Sequence, residues 1–274
     1  SEDLIVLPSD KYLGPCIIER SKYIQAALDH LSDTATYERL EPNDARQSII
    51  GVEENIIKFL GDYHHSLSKD DNTFLWRSFE VKDKYSYFYI TAKVHKTPWK
   101  PRPITSVAGS ITHGLGRWVD QELKPIVKKL PSYIRSSAHL LARFKAINFD
   151  TSNVSFFSCD AVSMYTNIDT AQALEVLHPF LRTSPLCAGC QANAIIVALE
   201  ILMRQNVFKL GDTFWRQKSG TAMGTPPGAN YAELYYGTWE IDFADYYFHT
   251  SLALYCCYIN NGIRLWIHHP EPQI

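Results

Sequence analysis

Long apolar runs are missing from this 274-residue chain; none could span a bilayer as a helix, and the N-terminus does not read as a signal peptide. Ser1 opens in mid-pattern, as a cut fragment does. An excess of positive charge is missing too. The net charge of −2 excludes a uniformly basic nucleic-acid binder. Cysteine pairing is thin: of six cysteines, only Cys187-Ala-Gly-Cys190 forms a CxxC, with no second pair and no neighbouring histidine. A helix-start turn suits it better than zinc or redox use, and the remaining thiols suit buried, reduced positions in or beside apolar strands. His64 and His65 are adjacent at a helix end, where side chains diverge, which argues against a shared metal.

An apolar fraction of 46% fits one or two domains with a sizeable core. Charge is unevenly spread. Residues 81–145 hold 13 Lys and Arg against three acids, a balance of +10, while the remainder stands at −12. That asymmetry fits a basic face for phosphates, or else a solvated patch.

Periodicity lays out the elements. Ile5–Leu7 and Cys16–Ile18 read as a strand pair, and Ser21 caps a helix running to about Leu31. Ile49–Leu67 repeats the helical pattern, Asp70-Asp71-Asn72 reads as a loop, and Tyr85–Val94 alternates as a strand. Lys93, His95, Lys96, Lys100 and Arg102 follow, among Pro98, Pro101 and Pro103, which predict a rigid turn. Arg offers phosphate a planar fork and Lys a point charge. His113–Leu130 reads as an amphipathic helix with Pro125 inside; Lys124, Lys128 and Lys129 near its end serve the helix dipole or template phosphates. Asp169 caps a helix to Leu181, Ala192–Arg204 is a core helix, and Asn206–Gln217 is a hairpin around Gly211-Asp212. Tyr231–Ala244 is a further helix.

Four stretches carry candidate chemistry. Phe156–Ile168, FFSCDAVSMYTNI, reads as a central strand ending in Asp160, which either holds a cation or simply caps the strand. Tyr165 follows it, as a packed aromatic or a working one. Leu254–Trp266, LYCCYINNGIRLW, reads as strand, tight turn and strand, with Asn-Asn-Gly tolerating positive φ. Ser219–Gly228, SGTAMGTPPG, is a glycine- and proline-rich loop, and Tyr89–Thr105, YITAKVHKTPWKPRPIT, a strand entering the basic turn.

In this order and spacing the four stretches resemble a reverse transcriptase of the Penelope-like retroelement class, over nearly the whole chain. DAVSMYTNI resembles the first catalytic palm motif, GTAMGTP the template and nucleotide motif, and AKVHK…RPI the fingers motifs. The opening LPSDKYLGPCIIERSKYI is similar to the upstream segment of that class, with Ser9 in place of Ala. The implied fold is α+β, a right-hand polymerase with fingers and palm but no thumb: 1–75 upstream extension and fingers, 76–148 fingers, 149–274 palm. Implied partners are an RNA template, a DNA primer and dNTPs, with no membrane and an intracellular, nuclear setting.

The resemblance also implies roles. Asp160, Asn260 and Asn261 fill the catalytic, metal-binding positions for two Mg²⁺ ions, and Tyr165 is the steric gate beneath the sugar. Lys93, with Lys96 as rival, and Arg102 grip the nucleotide, and Met223 and Gly224 lie under the template base. YINN stands where this family carries Tyr-Ile-Asp-Asp. Asn is neutral and half donor, so about −1 of charge remains where three carboxylates bring about −3. The expectation is a polymerase domain that is catalytically dead, its Mg²⁺ sites weakened. The alternative is a non-catalytic nucleic-acid-binding module derived from one. Glu240, Asp242 and Asp245 are expected on a separate helix, unable to substitute.

Overall fold

The computed structural model describes residues 3–81, 83–147, 153–187, 189–248 and 251–268. The expected boundary at 148/149 lies outside them. An α+β architecture is seen, with a mixed sheet flanked by helices. The chain opens with the antiparallel pair β1 (Leu4–Pro8) and β2 (Pro15–Glu19), then α1 (Arg20–Leu31) and β3 (Tyr37–Leu40). Glu19, not Ser21, takes the N-cap position of α1.

Helix α2 (Pro42–Tyr63) begins seven residues before the apolar pattern, because Pro42 sits in its first turn, where no N–H is needed. The predicted loop at Asp70–Asn72 is instead the first turn of α3 (Lys69–Ser78). Ser68 caps it by accepting Asp71 N–H at 3.0 Å, and the two carboxylates favour the helix's positive end.

Strands β4 (Ser86–Lys93) and β5 (Lys100–Ser106) form a hairpin in a five-stranded sheet ordered β3, β8 (Thr213–Gln217), β7 (Asn206–Leu210), β4, β5. Only β4 and β7 pair in parallel. Phe88, Ile90 and Ala92 point inward from β4; Phe88 and Ile90 pack with Phe208, Trp215, Tyr37 and Leu31. The prolines predicted to hold a turn lie partly in strand: Pro101 and Pro103 belong to β5, the outermost strand, where a missing N–H breaks no ladder.

Helices make the largest core. It joins α2, α4 (His113–Val127), α6 (Thr170–Thr183), α7 (Gly189–Arg204) and α8 (Gly228–Phe248) through Phe59, Trp118, Leu123, Leu177, Leu199 and Tyr231. Each fully buried Leu there stabilises the fold by about 1.5–3 kcal/mol. No helix among the described residues is long and apolar enough to cross a membrane.

The second sheet is antiparallel and three-stranded: β6 (Val154–Asp160), β10 (Asn261–Ile267) and β9 (Leu252–Tyr258). The strand predicted to be central, β6, is an edge strand; β10 is the middle one. Phe156 and Phe157 are consequently exposed. The far edge of β9 is covered by Ser132–Ile134, through Cys257 N to Ser132 O (2.7 Å) and Ile134 N to Cys257 O (3.1 Å). Under β9 and β10 packs α5 (Ser137–Lys145), through Leu140 and Phe144 against Leu254, Cys256 and Leu265.

Candidate functional site

Register brings the first three candidates together. Asn261 of β10 lies opposite Asp160 of β6 on one side and Tyr258 of β9 on the other. The β9–β10 bend is therefore two residues, Ile259 and Asn260. Positive φ was expected of Asn and Gly, yet Ile259 adopts it, at +56°. A β-branched residue there is strained by about 1–2 kcal/mol. Neighbours hold it: Ile259 N–H donates to Glu233 Oε1 at 3.0 Å, its side chain packs on the helical core, and Ala161 N–H donates to Asn260 O at 2.9 Å.

The side chains then link. Asn260 Nδ2 donates to Asp160 Oδ1 at 2.5 Å, and Asn261 Nδ2 donates to Asn260 Oδ1 at 3.0 Å. One carboxylate and two amides form a continuous chain at the sheet tip, where Asp160 and Asn261 are exposed. Hard divalent cations take carboxylate oxygen. Here the single carboxylate already accepts an amide N–H, and the amides bring no charge. This donor set does not fit a pair of Mg²⁺ ions.

Tyr165 sits half-buried on the loop after Asp160. Its backbone fixes the glycine-rich loop, since Thr221 N–H donates to Tyr165 O at 2.7 Å. Gly220 is required there: a Cβ would lie 2.8 Å from Thr166 Cα. Further along, Thr105 N–H donates to Met223 O at 2.6 Å, and Gly224, at φ +114°, passes so close that a Cβ would meet Thr105 O at 2.5 Å. Met223 and Gly224 are thus laced between β5 and the Tyr165 loop. Burial pushes the Tyr165 phenol up; the negative charge of Glu233 adds to this and the positive charge of Arg102 opposes it.

Arg102 is not a free clamp. Its Nη2 donates to Asp10 Oδ2 at 3.2 Å, and its Nε lies 2.9 Å from Asp10 Oδ1 as an ion pair without hydrogen-bond alignment. Asp10 belongs to the opening PSDK segment, whose Ser9 bridges to Ala92 of β4. Lys93 stands across from Lys100, and Thr91 across from Arg102, so these cations share one face of the hairpin. Burial, then the neighbouring Arg102, pulls the Lys93 ammonium down. Lys96 is exposed in the turn.

Sequence reasoning missed Glu233 of α8, an acid inside an aromatic helical run, whereas Glu240 lies on that separate helix as expected. Glu233 holds the bend; burial first, then Glu240, pushes its carboxyl up. Glu240 accepts from Ser132 Oγ (2.7 Å), Tyr255 Oη (3.0 Å) and Cys257 Sγ (2.8 Å). It ties the back of the sheet to α8 rather than reaching Asp160. Cys187 is buried just before α7, and Cys190 is exposed in its first turn. His64 and His65 do not diverge: they lie past the end of α2, with ring centroids 3.5 Å apart.

No family model and no curated protein matches this chain. Solved structures do. Apo telomerase from Candida tropicalis superposes with a TM-score of 0.62 at 8% identity, covering 97% of this chain and 47% of that one. The same telomerase truncated from its C-terminal domain gives 0.60 at 10%, covering 95% and 52%. Candida albicans telomerase in complex with a TWJ fragment of telomeric RNA gives 0.60 at 8%, covering 96% and 45%. At such identities the likeness shows a shared fold. The chain spans about half the length of these structures.

Proposed function

We propose that this chain is the polymerase core of a reverse transcriptase of the Penelope-like class, disabled for chemistry and retaining nucleic-acid binding. The carrying observation is the hydrogen-bonded chain from Asp160 through Asn260 to Asn261, followed by Tyr165, which the 220–224 loop ties to β5 and hence to the Arg102 hairpin. A telomerase-like fold supports this reading. In it, the five-stranded sheet and opening hairpin serve as fingers, and the β6–β10–β9 sheet as palm. Tyr165 lies under the sugar of a bound nucleotide, and Met223 and Gly224 under the template base. Lys93, Lys96 and Arg102 face its phosphates, Arg102 being preset by Asp10. The partners are an RNA template, a DNA primer and a dNTP, in a nuclear setting.

A polymerase of this type uses two Mg²⁺ ions to stabilise attacking and leaving oxygens. The donor set of this chain does not fit them. What remains is positioning: cations for phosphate, an aromatic for the sugar and a backbone shelf for the base. The non-catalytic binding module and the disabled enzyme therefore make the same demand on the present chain.

Binding of a primed RNA template over a range of NaCl concentrations tests it. The logarithm of the affinity should fall linearly with log salt, with a slope of about −0.7 to −0.9 per phosphate contacted, and Lys128→Ala with Lys129→Ala, exposed at the end of α4, should flatten that slope. Salt-independent binding, or none, refutes the proposal.

A further inference from the structure

An open cavity between α6 and α8 belongs to no part of the site above. Its volume is about 540 Å³, within the usual range of binding pockets. Gln172 and Val176 of α6 line one side; Tyr235, Tyr236, Trp239 and Asp242 of α8 line the other. The positions 235, 239 and 242 follow helical spacing, so they share a face. Trp239 is 59% exposed, unusual for the largest side chain, and its ring is fixed by stacking on Phe243 at 5.0 Å with 22° between planes. The tyrosine hydroxyls turn toward the protein: Tyr235 Oη donates to Gln172 Oε1 at 3.0 Å and Tyr236 Oη to Met164 O at 3.3 Å. Their rings are left as walls. Asp242 is exposed and forms no ion pair among the described residues, and neither Lys nor Arg lines the cavity.

Aromatic walls beside an unpaired carboxylate suit a cation. We propose that this cavity receives an arginine side chain from a basic peptide segment of a partner protein. The guanidinium stacks on the indole of Trp239 and the ring of Tyr235, and its planar fork meets Asp242. The volume exceeds one side chain several-fold, leaving room for flanking residues. Bases of a single-stranded nucleic acid stack on similar platforms, but such grooves carry cations for the phosphates, and this one carries a carboxylate. The site is separate from the nucleotide site and stands whether or not the polymerase reading does.

The test titrates the ¹⁵N-labelled chain with an acetylated, amidated Ala-Arg-Ala-Ala-Arg-Ala peptide, following the Trp239 indole N–H, assigned with Trp239→Phe. A peptide with citrulline for arginine keeps the shape and removes the charge. The expected result is a saturable shift of the Trp239 indole and the Gln172 side-chain amide with the arginine peptide. About tenfold weaker binding is expected for Asp242→Asn, the loss typical of one charge-assisted bond. The citrulline peptide should bind at least as weakly. Asp242 is exposed, so its Asn variant keeps the fold. Equal affinity for both peptides, no effect of Asp242→Asn, or no Trp239 shift at millimolar peptide overturns the proposal. A single-stranded RNA oligonucleotide that moves Trp239 when the peptide does not overturns it as well.

Discussion

Placing carboxylates at both positions, Asn260→Asp with Asn261→Asp, should make the stability of this fold depend on divalent cations. The present chain holds its sheet tip together with Asn260 Nδ2–H to Asp160 Oδ1 and Asn261 Nδ2–H to Asn260 Oδ1. The double variant loses both donors. At an exposed tip each is worth about 0.5–1 kcal/mol. Three carboxylates then crowd one corner, and each pair roughly 4 Å apart repels by about 1 kcal/mol in water. Without metal the variant should lose about 3–5 kcal/mol, less whatever a shared proton relieves. For a chain of this size 1 kcal/mol shifts Tm by about 2–4 °C, so the fall is on the order of 10 °C. A divalent cation at 100 times its Kd returns about 2.7 kcal/mol. Thermal melts of both chains, with EDTA and with MgCl2 or MnCl2, read this directly. The present chain should melt at one temperature throughout; the variant should melt low in EDTA and recover with metal. A variant that melts with the present chain under every condition refutes the geometry, because its carboxylates would not be neighbours.

Three further outcomes follow from particular contacts. Glu233→Ala removes the acceptor of Ile259 N–H and should lower stability by about 1–3 kcal/mol in urea unfolding, while Glu233→Gln keeps an acceptor and most of the stability. Since burial lifts the Glu233 carboxyl above 4.5, the folded chain keeps a proton that the unfolded chain has released. Stability should therefore fall as pH rises from 4.5 through the raised value and level off above it, and Glu233→Gln should remove that decline. Asp10→Ala frees Arg102, so stability should drop by less than about 1 kcal/mol. Its affinity for a dNTP added to the primed-RNA complex should fall by about fivefold or less, because Arg102 is no longer preset. Gly224→Ala places a Cβ against Thr105 O at a positive φ, and should cost about 2–4 kcal/mol in the same urea assay, with the 220–228 loop losing amide-exchange protection first.

Much of the layout was legible because it rests on local pattern. Alternation marked β4, the cap and periodicity marked α6 behind Asp169, and Gly211-Asp212 marked the β7–β8 hairpin. What escaped depends on neighbours. The acids of Asp70 and Asp71 look like loop formers until Ser68 makes them a helix start. Proline looks like a turn until the strand that holds it is found at a sheet edge. Strain at Ile259 is invisible in a sequence whose Asn-Asn-Gly offers easier hosts; the partner that fixes it, Glu233, comes from a helix 26 residues earlier. The pairing of Arg102 with Asp10 spans 92 residues and has no local signature. For the candidate site, the motifs indicated which residues belong together, and the register of β6 and β10 sets how they meet.

Primer extension on a primed RNA template, before and after Asn260→Asp with Asn261→Asp, addresses the central claim most directly. No dNTP incorporation is expected from the present chain and metal-dependent extension from the double variant, a gain of at least about a hundredfold if the added charges stabilise the transition state by even 2.7 kcal/mol. Equal incorporation by both chains, or none by a double variant that folds, binds Mg²⁺ and binds primed RNA, contradicts it.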